Sequence, residues 1–98
     1  MRIISFKRIK EFSEKHCDAE SLLNIWYYTV TSKDWNSIND IKNDFNTVDY
    51  VGNNRYVFNM KGKSYRIVVI ISFNANKVYI RFIGTHSEYD KIKDIKNI

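Results

Sequence analysis

The chain has 98 residues, of which 44% are hydrophobic and 15% aromatic, and this predicts one folded domain over residues 1–98. The absence of proline argues against collagen-like or proline-rich linker sequence. A single cysteine, Cys17, excludes an internal disulfide, and no His/Cys spacing indicates a metal site, so we expect no cofactor. No apolar stretch reaches the length of a signal peptide or a membrane span, which predicts a soluble cytoplasmic protein without a membrane partner. The net charge of +5 favours a polyanion as the binding partner.

The first predicted elements are a short extended segment and a helix. "RIISF" fits either a first β-strand or an extended lead-in. Phe6, Ile9 and Phe12 then recur at helical spacing, with Ser5 as the candidate N-cap. We therefore predict a helix that ends at about residue 16.

Two further helices are predicted before the middle of the chain. In "DAESLLNIWYYTVTSK", Leu22, Trp26 and Val30 stand four residues apart behind an Asp18 cap, and early acidic residues suit the positive end of a helix. "SINDIKNDF" predicts a shorter third helix. The following "TVDYVGNN" is interpreted as a polar connection.

From Arg55 onward the apolar period changes to two, which is typical of β-strands. "RYVFNM", "SYRIVVIISF" and "KVYIRFIG" predict three strands joined by turns at Lys61-Gly62 and at "NAN", residues 74–76. Thr85 and Glu88 then form a T-x-x-E capping box at the start of a short last helix. We therefore predict an α+β fold, with N-terminal helices packed on an antiparallel three-stranded meander and a short C-terminal helix.

The predicted hairpins also give Arg66 its neighbours. If Lys61-Gly62 is a two-residue turn, Arg66 lies opposite Val57 on one side. On the other side it lies roughly opposite Gly84 or Thr85. Arg66 is then expected close to the corner where the last strand gives way to the last helix.

The positive charge is concentrated in residues 51–87, which contain six basic residues and no acidic residue. If these residues share a face, the domain presents a positive surface able to meet a polyanion. A lysine-rich solvent side of an ordinary sheet is the equally weighted alternative.

Three side chains are expected to meet where the last predicted strand gives way to the last helix: Arg66, His86 and Tyr89. His86 and Tyr89 are three residues apart and share one side of the first helical turn, where backbone N–H groups favour an anion. These groups suit cleavage of an RNA phosphodiester by its own 2′-hydroxyl. One group takes the hydroxyl proton, another protonates the leaving 5′-oxygen, and a cation stabilises the charged phosphorus centre, without a metal.

Each of these residues also has an ordinary structural interpretation. A lone histidine such as His86 is more often a surface or cap-region residue than a catalytic one, and Tyr89 can simply anchor the last helix on the sheet. Arg66 is the least ordinary, because a charge in a mostly apolar strand needs a partner or a ligand. His16, at a predicted helix end, is interpreted as structural.

The segments "RYVFNMKGKSYRIVVIISF" and "KVYIRFIGTHSEYDKI" resemble the HigB family of toxins within the RelE-like superfamily. The match combines Y-V-F-N, a glycine turn, Y-R before an apolar strand, Y-I-R and finally T-H-S-E-Y-D at fixed spacing. The N-terminal "RIISFKRIKEF" is also similar to the family. The resemblance extends over essentially the whole chain.

The resemblance implies a RelE-like microbial ribonuclease fold and cleavage of mRNA on the ribosome without a metal. It also implies neutralisation by a cognate helix-turn-helix antitoxin of the HigA-like type. Operator DNA would be bound only through the toxin–antitoxin complex.

The resemblance also implies roles for individual residues. Arg66 matches the phosphate-contacting strand arginine of the superfamily, Tyr89 its C-terminal tyrosine, and His86 lies where relatives place an arginine or histidine. Some relatives carry two lysines on the strand before the glycine turn, where this chain has Val57 and Asn59, so proton transfer by such lysines does not carry over. The expected RNA contacts are Asn59, Lys61, Lys63 and Arg81.

We therefore predict a metal-independent mRNA endoribonuclease, the toxin of a type II toxin–antitoxin pair, that inhibits translation. The alternative is a non-catalytic module, either a basic sheet that docks on RNA or the ribosome, or a protein-interaction domain. A neighbouring reading frame for a helix-turn-helix protein, and the mapping of transcript ends, would discriminate the two.

Overall fold

The protein has an α+β fold in which three helices cover one face of a five-stranded sheet. The computed structural model describes residues 1–60 and 64–98. The strands are β1 (Arg2–Ile4), β2 (Asp49–Gly52), β3 (Arg55–Met60), β4 (Tyr65–Ser72) and β5 (Lys77–Thr85). The helices are α1 (Phe6–Lys15), α2 (Glu20–Thr31), α3 (Ile38–Asp44) and α4 (His86–Asp90), with 3-10 helices at Cys17–Ala19 and Ile95–Asn97. The predicted α+β class and the predicted helices and meander strands are confirmed.

The sheet is mixed rather than purely antiparallel, in the order β1-β5-β4-β3-β2. β1 pairs in parallel with the start of β5, with Ile3 opposite Val78. "RIISF" therefore contains a strand, and the prediction of an antiparallel sheet holds only for the other four strands. A three-residue strand carries no periodic signal that could identify its partner or its direction.

The prediction that "TVDYVGNN" is a connection was wrong, because it contains β2. This strand pairs with β3 and extends the sheet at its edge. The turn between the two strands uses Asn53 and Asn54 at φ angles of 50° and 64°, the left-handed conformation that two-residue hairpin turns require and asparagine tolerates. Tyr50 packs its ring on Tyr56, with centroids 4.9 Å apart. An edge strand with few apolar residues resembles a loop in the sequence, since only part of it is buried.

The predicted two-residue turn between β3 and β4 was also wrong. Met60 pairs with Tyr65, so four residues connect the strands, and Arg66 lies opposite Asn59 instead of Val57. The predicted turn residues, Lys61-Gly62, lie outside the described residues. Because the length of the loop sets the register of a hairpin, the longer loop shifts every residue pair between β3 and β4 from its predicted position. On the other side, Arg66 pairs with Gly84, one of the two predicted partners.

The main core lies between the sheet and α1–α3. Trp26 of α2 is fully buried and packs its ring edge-on against Phe58 of β3, at 5.5 Å between centroids. Tyr65 and Ile67 face this core, whereas Arg66, which lies between them, points to the other face because side chains alternate along a strand. That other face carries the candidate site.

The predicted helix caps had mixed outcomes. The capping box of Thr85 and Glu88 is confirmed. Ser5 occupies the N-cap position of α1 but makes no side-chain capping bond. Asp18 does not cap α2, which begins at Glu20, because the Asp18 carboxylate accepts the Tyr65 hydroxyl instead. None of the helices in the described part of the chain is both long enough and apolar enough to cross a membrane.

Candidate active site

The candidate site lies at the end of β5, where the chain turns from strand into α4. β5 ends at Thr85 and α4 begins at His86 without an intervening loop. The backbone N–H of His86 donates to the carbonyl of Ser64 at 3.0 Å. This bond fastens the first turn of α4 to the start of β4, so the residues of that turn stay close to Arg66.

The capping box explains why the helix starts there. The Thr85 hydroxyl accepts the Glu88 backbone N–H at 3.2 Å, and the Glu88 carboxylate accepts the Thr85 backbone N–H at 2.9 Å. The hydrogen bonds from the Thr85 backbone and side chain lower the pKa of Glu88. Because hydrogen bonding favours the charged form, Glu88 serves as an ionised cap.

Arg66 and Tyr89 are in direct contact across the gap between β4 and α4. The guanidinium carbon of Arg66 lies 4.5 Å from the centroid of the Tyr89 ring, which is a cation–π geometry. Such a contact contributes about 0.5–2 kcal/mol. An arginine side chain carries about 2 kcal/mol of rotamer entropy, so this contact alone does not hold the guanidinium firmly.

Arg66 is otherwise short of partners among residues 1–60 and 64–98. Its Nε is buried and has no hydrogen-bond partner, and none of the ion pairs found in this part of the chain includes it. Across the strand pair, Asn59 donates from Nδ2 to the Thr47 carbonyl at 3.3 Å, while its buried Oδ1 accepts no hydrogen bond from the residues that the structure describes. Unpaired buried polar atoms cost about 1–3 kcal/mol each. Arg66 Nε and Asn59 Oδ1 belong to residues that pair directly across the two strands. A polar ligand that hydrogen-bonds these atoms would therefore be stabilised at this end of the sheet.

His86 has a neighbouring carboxylate that the sequence analysis missed, Asp90. The Nδ1 atom of His86 lies 3.5 Å from Oδ1 of Asp90, and the two side chains are 53% and 58% exposed. The spacing in "HSEYD" was the available signal, since residues four apart share a helix face. Among the described contacts, none joins His86 to Arg66 or Tyr89, so the structure brings two of the three predicted catalytic residues into contact and places the third in the same helical turn.

Phe82 and Gly84 form a second feature that the sequence analysis did not identify. A Cβ atom added at Gly84 would lie 2.4 Å from Cζ of Phe82, so the Phe82 ring covers the glycine. The same ring lies 6.4 Å from the Tyr89 ring, centroid to centroid. A glycine inside a strand was the available signal, since it often marks a close approach of another group.

The other predicted residues lie in different surroundings. Arg81 is exposed at an irregularity in the β4–β5 pairing, and its backbone carbonyl accepts a hydrogen bond from Arg8 at 3.0 Å. Lys61 and Lys63 lie outside the described residues. His16, interpreted as structural, stacks on Phe12 with ring centroids 4.3 Å apart. Within the described ranges, no group of three or more His, Cys, Asp or Glu side chains is arranged to hold a metal ion.

Comparison with known proteins gives consistent results over most of the chain. Residues 19–92 match the family model HigB_toxin, described as the RelE-like toxic component of a toxin–antitoxin system. The chain is 31% identical to the mRNA interferase toxin HigB of Escherichia coli (strain K12) over 93 residues, which cover 92% of this chain and 88% of that protein. It is 26% identical to the mRNA interferase HigB of Escherichia coli O6:H1 over 94 residues, covering 94% of this chain and 91% of that protein.

Proposed function

The chain belongs to the HigB toxin family, and we propose that it is the toxin of a type II toxin–antitoxin pair that cleaves mRNA and thereby inhibits translation. Relatives named mRNA interferases, matched over nearly the full length of both chains, support this activity. The structural observation that carries the proposal is the Arg66–Tyr89 contact beside the first turn of α4. The proposal is supported by a cation in contact with a phenol, Arg66 with Tyr89, and by a histidine in the same first turn of α4 as that phenol.

The proposed reaction is attack of the RNA 2′-oxygen on the adjacent phosphorus. A new P–O bond forms as the bond to the 5′-oxygen breaks, which leaves a cyclic phosphate and a 5′-hydroxyl. The 2′-hydroxyl loses a proton and the leaving 5′-oxygen gains one, so the reaction is balanced without another reactant. Arg66 stabilises the negative charge that develops on the phosphoryl oxygens.

His86 is the residue that we assign to proton transfer, as acid or base. Because Asp90 lies 3.5 Å from Nδ1, we assign the proton transfer to the other ring nitrogen, Nε2. Tyr89 stacks on or hydrogen-bonds the RNA. The residues proposed to hold the RNA backbone or bases are Asn59, Lys61, Lys63 and Arg81.

A single assigned proton-transfer group favours an enzyme that depends on its substrate being held in place. We propose that the ribosome supplies this alignment, since orienting reacting groups can contribute about 7–11 kcal/mol. Cleavage of free RNA should then be slight. Acting on translated mRNA also implies that the protein works in the cytoplasm.

The family description also implies an antitoxin as partner. We propose that this partner is a helix-turn-helix protein of the HigA-like type, and that the toxin reaches operator DNA only through it. A co-expression and co-purification experiment with the protein encoded beside the toxin gene tests this pairing. Failure of the neighbour to restore growth would argue against it.

The decisive test of the activity is induction of the wild-type protein and of three variants, Arg66→Ala, His86→Ala and Tyr89→Phe. The wild type should stop growth and create new 5′ ends within translated messages. Each variant should relieve the growth inhibition and keep a thermal midpoint near that of the wild type. Intact messages after induction of the wild type would favour a non-catalytic binding module, and unfolding of all three variants would show that these residues belong to the core.

A further inference from the structure

Phe82 and Gly84 form a unit within β5 that has a steric basis. A Cβ on Gly84 would lie 2.4 Å from Cζ and 3.1 Å from Cε1 and Cε2 of Phe82. Gly84 is not among the residues with a positive φ angle. The glycine is therefore needed for space and not for backbone conformation. Any larger residue at this position would push the Phe82 ring away from the strand.

The position of this ring relates it directly to the candidate site. Gly84 pairs with Arg66 and Phe82 pairs with Val68, so the Phe82 ring lies on the face of the sheet that carries Arg66. Its centroid is 6.4 Å from that of Tyr89, whose ring lies 4.5 Å from the Arg66 guanidinium carbon. Phe82, Arg66 and Tyr89 thus form one group at the start of α4.

Arg66 and Tyr89 alone do not hold each other in place, so a third side chain, Phe82, is needed beside them. The cation–π contact is no larger than the conformational entropy that an arginine side chain loses when it is fixed. A half-buried aromatic ring beside Tyr89 limits the positions open to the Tyr89 ring and shields one side of the contact from water, and a cation–π contact is stronger when it is desolvated.

We propose that Phe82 is a positioning residue, which holds Tyr89 against Arg66 so that the guanidinium is already oriented when RNA arrives. The catalytic part of this inference rests on the proposed function. Gly84 enables the arrangement because it leaves room for the ring. A purely structural Phe82 would only cover the buried Val68 and would not affect the Arg66–Tyr89 contact.

The first test is spectroscopic and does not depend on activity. Protons of the Arg66 side chain above the Tyr89 ring should be shifted upfield in the NMR spectrum of the wild type, and Tyr89→Leu gives the reference without a ring. Phe82→Leu and Gly84→Ala should each move this shift most of the way to the reference. Tyr79→Leu is the matched control, because Tyr79 is a half-buried aromatic residue of the same strand and face. An unchanged Arg66 shift in folded Phe82→Leu would overturn the proposal.

The second test is cleavage of mRNA on ribosomes under single-turnover conditions, below the thermal midpoint of each variant. Phe82→Leu and Gly84→Ala should each lower the rate at saturating substrate by roughly 10- to 100-fold, the range expected for a small misplacement of a catalytic group. The double variant should be no slower than Phe82→Leu alone, since Gly84→Ala acts through the ring. Tyr79→Leu should cleave within about twofold of the wild type.

The two tests separate the possible failures. A changed Arg66 shift with unchanged cleavage would overturn the role of Phe82 in the reaction. Additive losses in the double variant would overturn the role of Gly84. Absence of cleavage by the wild type, with a Phe82-dependent Arg66 shift, would overturn the proposed function while leaving the positioning of Arg66 in place.

Discussion

The hydroxyl of Tyr65 lies 2.7 and 2.9 Å from the two carboxylate oxygens of Asp18 and donates to them. This contact ties the start of β4 to the 3-10 helix between α1 and α2. Tyr65 is adjacent in sequence to Arg66, yet their side chains occupy opposite faces of the sheet. One face of β4 therefore holds the helical layer in place, and the other presents the candidate site.

Tyr65→Phe should lower stability and leave the reaction intact. Loss of a hydrogen bond to a charged group costs about 1.5–3 kcal/mol, and each kcal/mol lowers the thermal midpoint of a domain of this size by about 4–8 °C. Thermal melts measure the first effect, and ribosome-dependent cleavage at a temperature where the variant is folded measures the second. A folded Tyr65→Phe protein without cleavage would show that the two faces are not independent.

Arg66→Lys should resemble Arg66→Ala more than the wild type in cleavage assays. Lysine keeps the charge but lacks the planar group that stacks on Tyr89 and presents several donors to phosphate. Neither change should lower the thermal midpoint much, because Nε of Arg66 is buried without a hydrogen bond in the described structure. Lys42→Ala, on the exposed surface of α3, is the control for loss of positive charge. Full activity of Arg66→Lys would mean that charge alone suffices.

Asp90→Asn should slow cleavage modestly by loosening the orientation of His86. A polar contact between two exposed side chains contributes no more than about 0.2–1 kcal/mol, which corresponds to a loss of up to about fivefold in rate at 1.4 kcal/mol per factor of ten. In a His86→Ala background the same change should have no further effect. Kinetic comparison of the two single variants and the double variant checks this, and an additional loss in the double variant would assign Asp90 a role of its own.

The start of α4 should respond to acid through Glu88. The folded-state pKa of this carboxyl is lowered by its hydrogen bonds to Thr85, so its contribution to stability is present above the unfolded-state pKa and is lost as pH falls through the folded-state value. NMR titration of the Glu88 carboxyl and the Thr85 amide should show one shared transition below the usual range of glutamate. Glu88→Gln, which keeps a capping-box acceptor, should abolish that transition. A Thr85 amide shift that still titrates in the variant would contradict the assignment.

Much of the local structure follows from short sequence patterns. The change of apolar period near Arg55 located the meander strands, and T-x-x-E located the first turn of α4. The contact between Arg66 and Tyr89 was also expected, because the pairing of Arg66 with Gly84 brings the middle strand beside the end of the last one. These features depend on residues that are close in the chain or joined by a short turn.

Other features of the fold and the site could not be predicted from short sequence patterns. The parallel partner of β1 and the edge strand β2 have too few residues for a periodic signal. The position of Asn59 opposite Arg66 depended on a loop length that composition does not specify. Asp18, expected as a helix cap, bonds Tyr65 instead, because a distant hydroxyl competes for the same carboxylate.

By itself the sequence determined the types of the helices and of the meander strands, the cap of α4 and the residues that resemble a toxin family, because periodicity, capping and motif spacing are local properties. Only the tertiary structure decided that the Phe82 ring covers Gly84 and lies beside the Arg66–Tyr89 pair. Those contacts depend on which face each side chain takes and how closely two elements approach, and both are set by the packing of the whole sheet and α4.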